Sequence, residues 1–276
     1  MKILPLAAIS LLLAAPTTWA ATATLVDDFR RVSYGQVGRA IVNNVVTVDF
    51  RDQGQDEASD PSDTLQEIRV IQVRGSNPPG LYSGHTEAIH TSTYLTPGGA
   101  TPAFGNAIEG FTVDDFNLFT RVSVTDPFLS STTSTIGQVS VTLETNEPLR
   151  WSWTADVALQ EQGVLQPTYL FSIYDNSDTL FSDFRQQAFD TTIQQGGVLP
   201  AGEWTVEVFV NGSVSLPVGS GSMENPPMGE GRVLIDNGRF TLSAVPEPTS
   251  VVLFVLGGGA LLVGARVRGS MHCNQA

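Results

Sequence analysis

The 276-residue chain carries 28 acidic side chains against 14 basic ones, a formal charge of −14, and 41% of its residues are hydrophobic. That hydrophobic share supports a folded core and excludes wholesale disorder, while the acidity excludes binding along a phosphate backbone, so nucleic acid is not a partner. The charge is uneven: every acid lies between Asp27 and Glu247, where eleven arginines leave a net −17, and the only lysine is Lys2.

Residues 1–20 read as a secretory signal peptide. Lys2 supplies the positive start, residues 3–15 are apolar, and Pro16-Thr17-Thr18-Trp19-Ala20 ends on a small residue. A cut after Ala20 is the first choice, and a cut after Ala23 the second. Residues 21–243 then form the exported body, whose dominant hydrophobic period is two. Val139, Val141 and Leu143 alternate with polar neighbours, as do Trp151, Trp153, Ala155 and Val157, and Trp204, Val206, Val208 and Val210. Such runs place one face on a core and the other in water. Further strands are predicted at 25–29, 41–50, 67–73, 168–174 and 232–242. In the last of these, Asp236-Asn237-Gly238 is a hairpin-turn signal. Residues 75–110 and 126–135 read as connectors. Many short alternating strands punctuated by Gly and Pro predict an all-β fold, a jelly-roll-like β-sandwich, in one domain.

Several residue groups in the body invite a chemical reading. Asp49, Asp52, Asp56, Glu57, Asp60 and Asp63 crowd one predicted loop. Carboxylates on a flexible loop suit calcium, with Asp49, Asp52, Asp56 and Asp60 as the ligands. The spacing of an EF-hand is absent, and a solvated acidic loop is the competing reading. His85 and His90 stand five apart, which on a strand puts them on opposite faces and argues against zinc. Trp151 and Trp153 share a strand face and form either core or a platform for sugar rings. Tyr82 and Tyr94 are further aromatics for a glycan. No nucleophile elbow, P-loop or dinucleotide fingerprint occurs. A glycan-hydrolysing carboxylate pair is compatible with 28 acids, but nothing in the spacing selects one. These readings favour a non-enzyme without a cofactor.

The far end is the most specific part of the sequence. Val245-Pro246-Glu247-Pro248-Thr249-Ser250 precedes fifteen residues, 251–265, without a charged or polar side chain, and Arg266 and Arg268 follow. Two prolines one residue apart continue neither a helix nor a ladder, so the motif is open to a processing enzyme. The apolar run, lengthened by Thr249 and Ser250 and by snorkelling arginines, reads as a short transmembrane helix. The arginines hold its C-terminal side in the cytoplasm, so the body between them and Lys2 lies across the membrane. Cys273, the single cysteine, lies in the cytoplasmic tail 269–276, so the body holds no disulfide.

With these parts in place, residues 244–268 resemble the PEP-CTERM sorting signal of Gram-negative bacteria that make extracellular polysaccharide. Pro246, Glu247 and Pro248 match its motif, 251–265 its span, and Arg266 and Arg268 its basic end. Family tails usually stop soon after the basic cluster, whereas this chain continues to Ala276. The resemblance implies an exosortase as partner, transient anchoring in the inner membrane, and release to the envelope or matrix. It also implies a structural or adhesive role in an exopolysaccharide matrix, as in a biofilm or floc. A carbohydrate-binding module and a glycan-active hydrolase are the alternatives.

Overall fold

A computed structural model describes residues 22–42, 45–58, 65–76, 79–124, 129–162, 167–217 and 228–245. Nearly all of them are strand. The elements are β1 (Ala23–Val42), β2 (Val45–Ala58), β3 (Leu65–Ser76), β4 (Pro79–Leu95), a 3-10 turn (Pro97–Gly99), β5 (Ala107–Ile108), β6 (Gly110–Val124) and β7 (Leu129–Thr145). They continue with β8 (Leu149–Gln162), β9 (Thr168–Tyr174), β10 (Thr179–Arg185), β11 (Phe189–Leu199), β12 (Gly202–Leu216) and β13 (Met228–Ala244). Two antiparallel sheets result, ordered β10-β9-β12-β7-β1-β2, with β5 added on β1, and β11-β8-β13-β6-β4-β3. Their facing sides form a β-sandwich. The two last strands enter the middle of the sheets: β12 lies between β7 and β9, and β13 between β6 and β8.

The interior changes character along the strands. Toward one end it is aromatic: Trp153 stacks on Phe171 at 4.9 Å, Phe111 on Phe240 at 5.3 Å, and Trp151 meets Phe181 at 5.1 Å. Toward the other end the inward positions of β1, β4, β6 and β7 are polar, with Gln36, Thr86, Thr120, Thr133 and Thr135 all buried. Gln36 donates to Thr86 at 3.2 Å, and Thr120 and Thr135 hydrogen-bond at 3.3 Å, so these groups satisfy one another between the sheets. Where the two regions meet, the Phe116 ring packs against Gly137, and a Cβ at that glycine would stand 2.0 Å from the ring's Cε2.

This polar half accounts for the departures from the predicted elements. Residues 75–110 were expected as a connector, yet the stretch holds the 17-residue strand β4, paired with β3 from Ser76↔Pro79 onward. The inward positions of β4, Gly84, Thr86, Ala88, His90 and Ser92, are small or polar, so the hydrophobic alternation that marks a strand is missing there. Among the described residues of that stretch the connector is 96–109, which itself holds the 3-10 turn and the two-residue β5. Similarly, β7 begins at Leu129 inside the predicted connector 126–135. From Asp49 to Ala58 the acidic segment is not a loop but part of strand β2, in register with β1 from Arg30↔Ala58 to Val42↔Val45, while Asp60 and Asp63 lie outside the described residues. Asp236-Asn237-Gly238 makes no hairpin. β13 runs through it in unbroken register with β6, and Asn237, at φ 54°, sits in a bulge against β8.

Candidate functional site

Both ends of the described body leave the sandwich together. Ala23, at the start of β1, pairs with Ile108, and the Leu25 amide donates to the Asn106 carbonyl at 2.9 Å. At the other terminus the Leu242 amide of β13 donates to the Glu109 carbonyl at 2.8 Å, while the Glu109 amide donates to Leu95 O at 2.6 Å. The single connector 96–109 therefore clasps the first strand and the last one within three residues of each other. Gly110 makes the tight approach possible: its φ is 147°, and a Cβ there would stand 2.0 Å from the Phe240 carbonyl oxygen. Beyond the last strand residue, Ala244, one residue separates the body from Pro246.

The middle of the sandwich holds a buried polar chain. Arg30 donates to Asp28 Oδ2 through Nε at 3.0 Å and Nη2 at 2.8 Å, and through Nη1 to Ser92 Oγ at 3.2 Å. Ser92 Oγ in turn meets His90 Nε2 at 3.0 Å. Both members of the ion pair have fully buried side chains. Burial raises the Asp28 carboxyl above its ordinary range, against the pull of Arg30. Burial and then the nearby guanidinium push His90 down to about 3, so it is neutral at ordinary pH. Sequence reading passed over Asp28 and Arg30, although their spacing of two, in phase with buried Val32, puts all three on one strand face. Each element of this chain is enclosed by the two sheets, which suits structural work better than chemistry on a substrate.

On the outer side of the second sheet, Asp115, Asp236 and Asp156 stand opposite one another on the adjacent strands β6, β13 and β8. Partial desolvation and then Asp236 raise Asp115, while hydrogen bonds from Thr192 at 2.6 Å and Asn237 at 2.9 Å lower Asp156. The three are exposed on an open face and not in a cleft. A shallow groove of about 480 Å³ lies farther along the same side, lined by Arg150, Trp151, Ser152, Gly196, Gly197, Val198 and Ser243.

The residues singled out from the sequence fall as follows. Asp49, Asp52 and Asp56 are on β2, where Asp49 pairs with Arg39 and Asp52 with Gln36, and Asp52 accepts from the Tyr34 hydroxyl at 3.3 Å. Asp60 lies outside the described residues, and among those described no three His, Cys, Asp or Glu side chains gather as an ion site. Trp151 and Trp153 are core, 4% and 0% exposed, and Trp153 Nε1 donates to the Tyr169 hydroxyl at 2.9 Å. Buried rings offer no face to a sugar, so the platform expectation for this pair is corrected. His85 and His90 point to opposite sides of β4: His90 is buried, and His85 packs edge-on against Phe119 at 5.3 Å. Trp204 enters the core from the start of β12, its Nε1 donating to Pro200 O at 3.0 Å. Pro246, Glu247, Pro248, Arg266 and Arg268 lie outside the described residues, as does the predicted span. Among the described residues no helix is long and apolar enough to cross a membrane.

No family model matches the sequence. No curated protein matches it either. Among solved structures, the enzymatically active domain of tailspike protein 4 from bacteriophage CBA120 is 11% identical, with a TM-score of 0.20 over 58% of this chain and 19% of that one. This chain thus spans less than a fifth of that protein's length. The infectious bursal disease virus VP2 subviral particle is 11% identical, with a TM-score of 0.17 over 90% of this chain and 75% of the other. Likeness at that level says nothing about activity.

Proposed function

We propose that the protein is an exported, exosortase-sorted surface or matrix protein with a non-catalytic structural or adhesive role in an exopolysaccharide layer. The observation that carries this reading is the shared exit of both ends of the described body. A body held in the inner membrane through residues on either side of it needs its first and last strands at one end, and β1 and β13 meet there at the 96–109 clasp. In the sequence, Pro246-Glu247-Pro248 begins two residues after Ala244, the last residue of β13. The clasp also bears on the leader. Ala23 is 2% exposed and belongs to the core cluster, so removal after Ala20 leaves β1 whole, whereas removal after Ala23 strips a core residue and its pairing with Ile108. The return of β12 and β13 to the middle of both sheets supports a jelly-roll-like reading of the sandwich. The open placement of the Asp115, Asp236 and Asp156 row, which excludes no water, favours a non-enzyme over the hydrolase alternative.

The test is the intact mass of the extracellular form, read together with cell fractionation. The expected species begins at Ala21 and lacks residues 251–268. A species retaining 251–268 in the membrane fraction replaces sorting with simple anchoring, and one beginning at Met1 removes the export reading altogether. Binding or cleavage of an extracellular polysaccharide by the same preparation, with cleavage lost on Asp115→Asn or Asp236→Asn, would move the assignment to one of the alternatives.

A further inference from the structure

A sheet edge presents unpaired N–H and C=O groups, and folded proteins blunt it with charge, proline, bulges or shortness. Three of the four edges are blunted. The β2 edge carries Asp49, Arg51, Asp52, Asp56 and Glu57, and the β3 edge Glu67, Arg69 and Arg74. The β10 edge is seven residues long with a register shift after Thr179, and its Arg185 and Asp183 form an ion pair at 2.7 Å. The fourth edge is different. β11 runs eleven residues in unbroken register with β8, contains no proline, and carries one charge, Asp190, near its start. From Thr191 to Gly202 the chain has no charged residue. Val198 is 49% exposed, and Thr191, Thr192, Gln194, Gly196 and Gly197 are exposed with it.

We infer that β11 is an association edge, and that its occupant is β11 of a second copy, antiparallel about a two-fold axis at Gln194. Charge selects this partner. Two bodies of net −17 repel wherever their acidic faces meet, and this edge is where they approach without that cost. Centring the pairing on Gln194 matches the whole strand, residue 189 against 199. It keeps each side chain on its own sheet face and sets no like charges opposite each other. In that register Asp190 of one copy stands opposite Val198 of the other, and Val198 is the cross-strand neighbour of Arg150. Two strand spacings, roughly 10 Å, then separate Arg150 from the second copy's Asp190. An arginine leaning across Val198 closes that distance, twice by symmetry. Arg150 is exposed, makes no ion pair among the described residues, and lines the groove that opens beside Gly196 and Gly197. Gly196 and Gly197 add no side chain beside that groove.

The experiment uses the full chain in mild detergent. Sedimentation equilibrium over a wide dilution series is expected to show reversible dimers. Gln194→Lys, which sets a cation against its own copy at an exposed position, is expected to weaken association at least tenfold without shifting the melting temperature. In a Cys273→Ser background, Gln194→Cys is expected to give a disulfide-linked dimer on mild oxidation, and Gln53→Cys on the β2 edge is not. Arg150→Asp and Asp190→Arg should each weaken the dimer, and the double variant should restore it. A chain monomeric throughout, a dimer indifferent to Gln194→Lys, or equal cross-linking at residues 53 and 194 overturns the proposal. So does a monomer whose β11 edge takes up only strands of another protein.

Discussion

The buried pair Asp28 and Arg30 makes the sharpest demands of any residues in the molecule. Both charges leave water, and two hydrogen bonds between them together with the bond to Ser92 offset the desolvation. Removing one partner strands the other. Arg30→Leu is expected to lower stability by about 3–5 kcal/mol in urea unfolding, whereas Asp28→Leu with Arg30→Leu returns most of that loss. His90 adds a pH dependence of definite sign. Its folded-state value of about 3 lies below the ordinary 6.5, so the unfolded chain takes up the proton first as pH falls. Stability present above pH 6.5 is therefore lost on acidification toward 3, by at most ~1.4 kcal/mol per pH unit. Asp28, raised by burial, acts in reverse: its contribution is present in acid and lost as pH rises through its folded value. Urea midpoints at a series of pH values between 7 and 4 should fall with pH in the wild type, and His90→Leu should flatten that slope.

Among the elements, β13 shows how a local signal yields to the sheet around it. Asp-Asn-Gly favours a turn because Asn and Gly accept positive φ, and Asn237 does take φ 54°. With ladders to β6 on one side and β8 on the other, however, the chain continues as a bulged strand. Asn237→Gly should be nearly neutral, and Asn237→Val should cost about 1–2 kcal/mol, since a β-branched residue resists that conformation. Thermal melts of the two variants side by side make the comparison. The same contest explains what was legible beforehand. Val139, Val141 and Leu143, or Trp204 to Val210, announce themselves because their inward faces are apolar. β4 does not, because its inward positions are Gly84, Thr86, Ala88, His90 and Ser92, and neither does β2 from Asp52, whose positions on that face are Asp52, Gly54 and Asp56, so the period of two carries no hydrophobic contrast. The Asp28–Arg30 pair was visible in principle as two charges in phase with Val32, but only the opposing sheet supplies Ser92 and His90. The open β11 edge likewise appears in the sequence as twelve uncharged residues in a very acidic chain, and only the strand order shows that nothing among the described residues pairs with it.

For the molecule as a whole, the −17 of the body is spread over two sheet faces with few cations among them. Self-repulsion then opposes the compact state most strongly at low ionic strength. The melting temperature should rise with added sodium chloride, steeply at first and little beyond about 0.1 M, where the screening length is already ~10 Å. A melting temperature independent of salt would show that the arginines already balance the field locally. Topology adds a mechanical consequence. β13 is hydrogen-bonded along nearly its whole length to strands on both sides, and those bonds lie across the strand direction. A pull on the chain beyond Val245 therefore runs along the axis of β13 and loads both ladders in shear, every bond sharing the force. A peripheral strand would instead peel away one bond at a time. The last strand is thus the tether that a tugged surface protein would be slowest to give up.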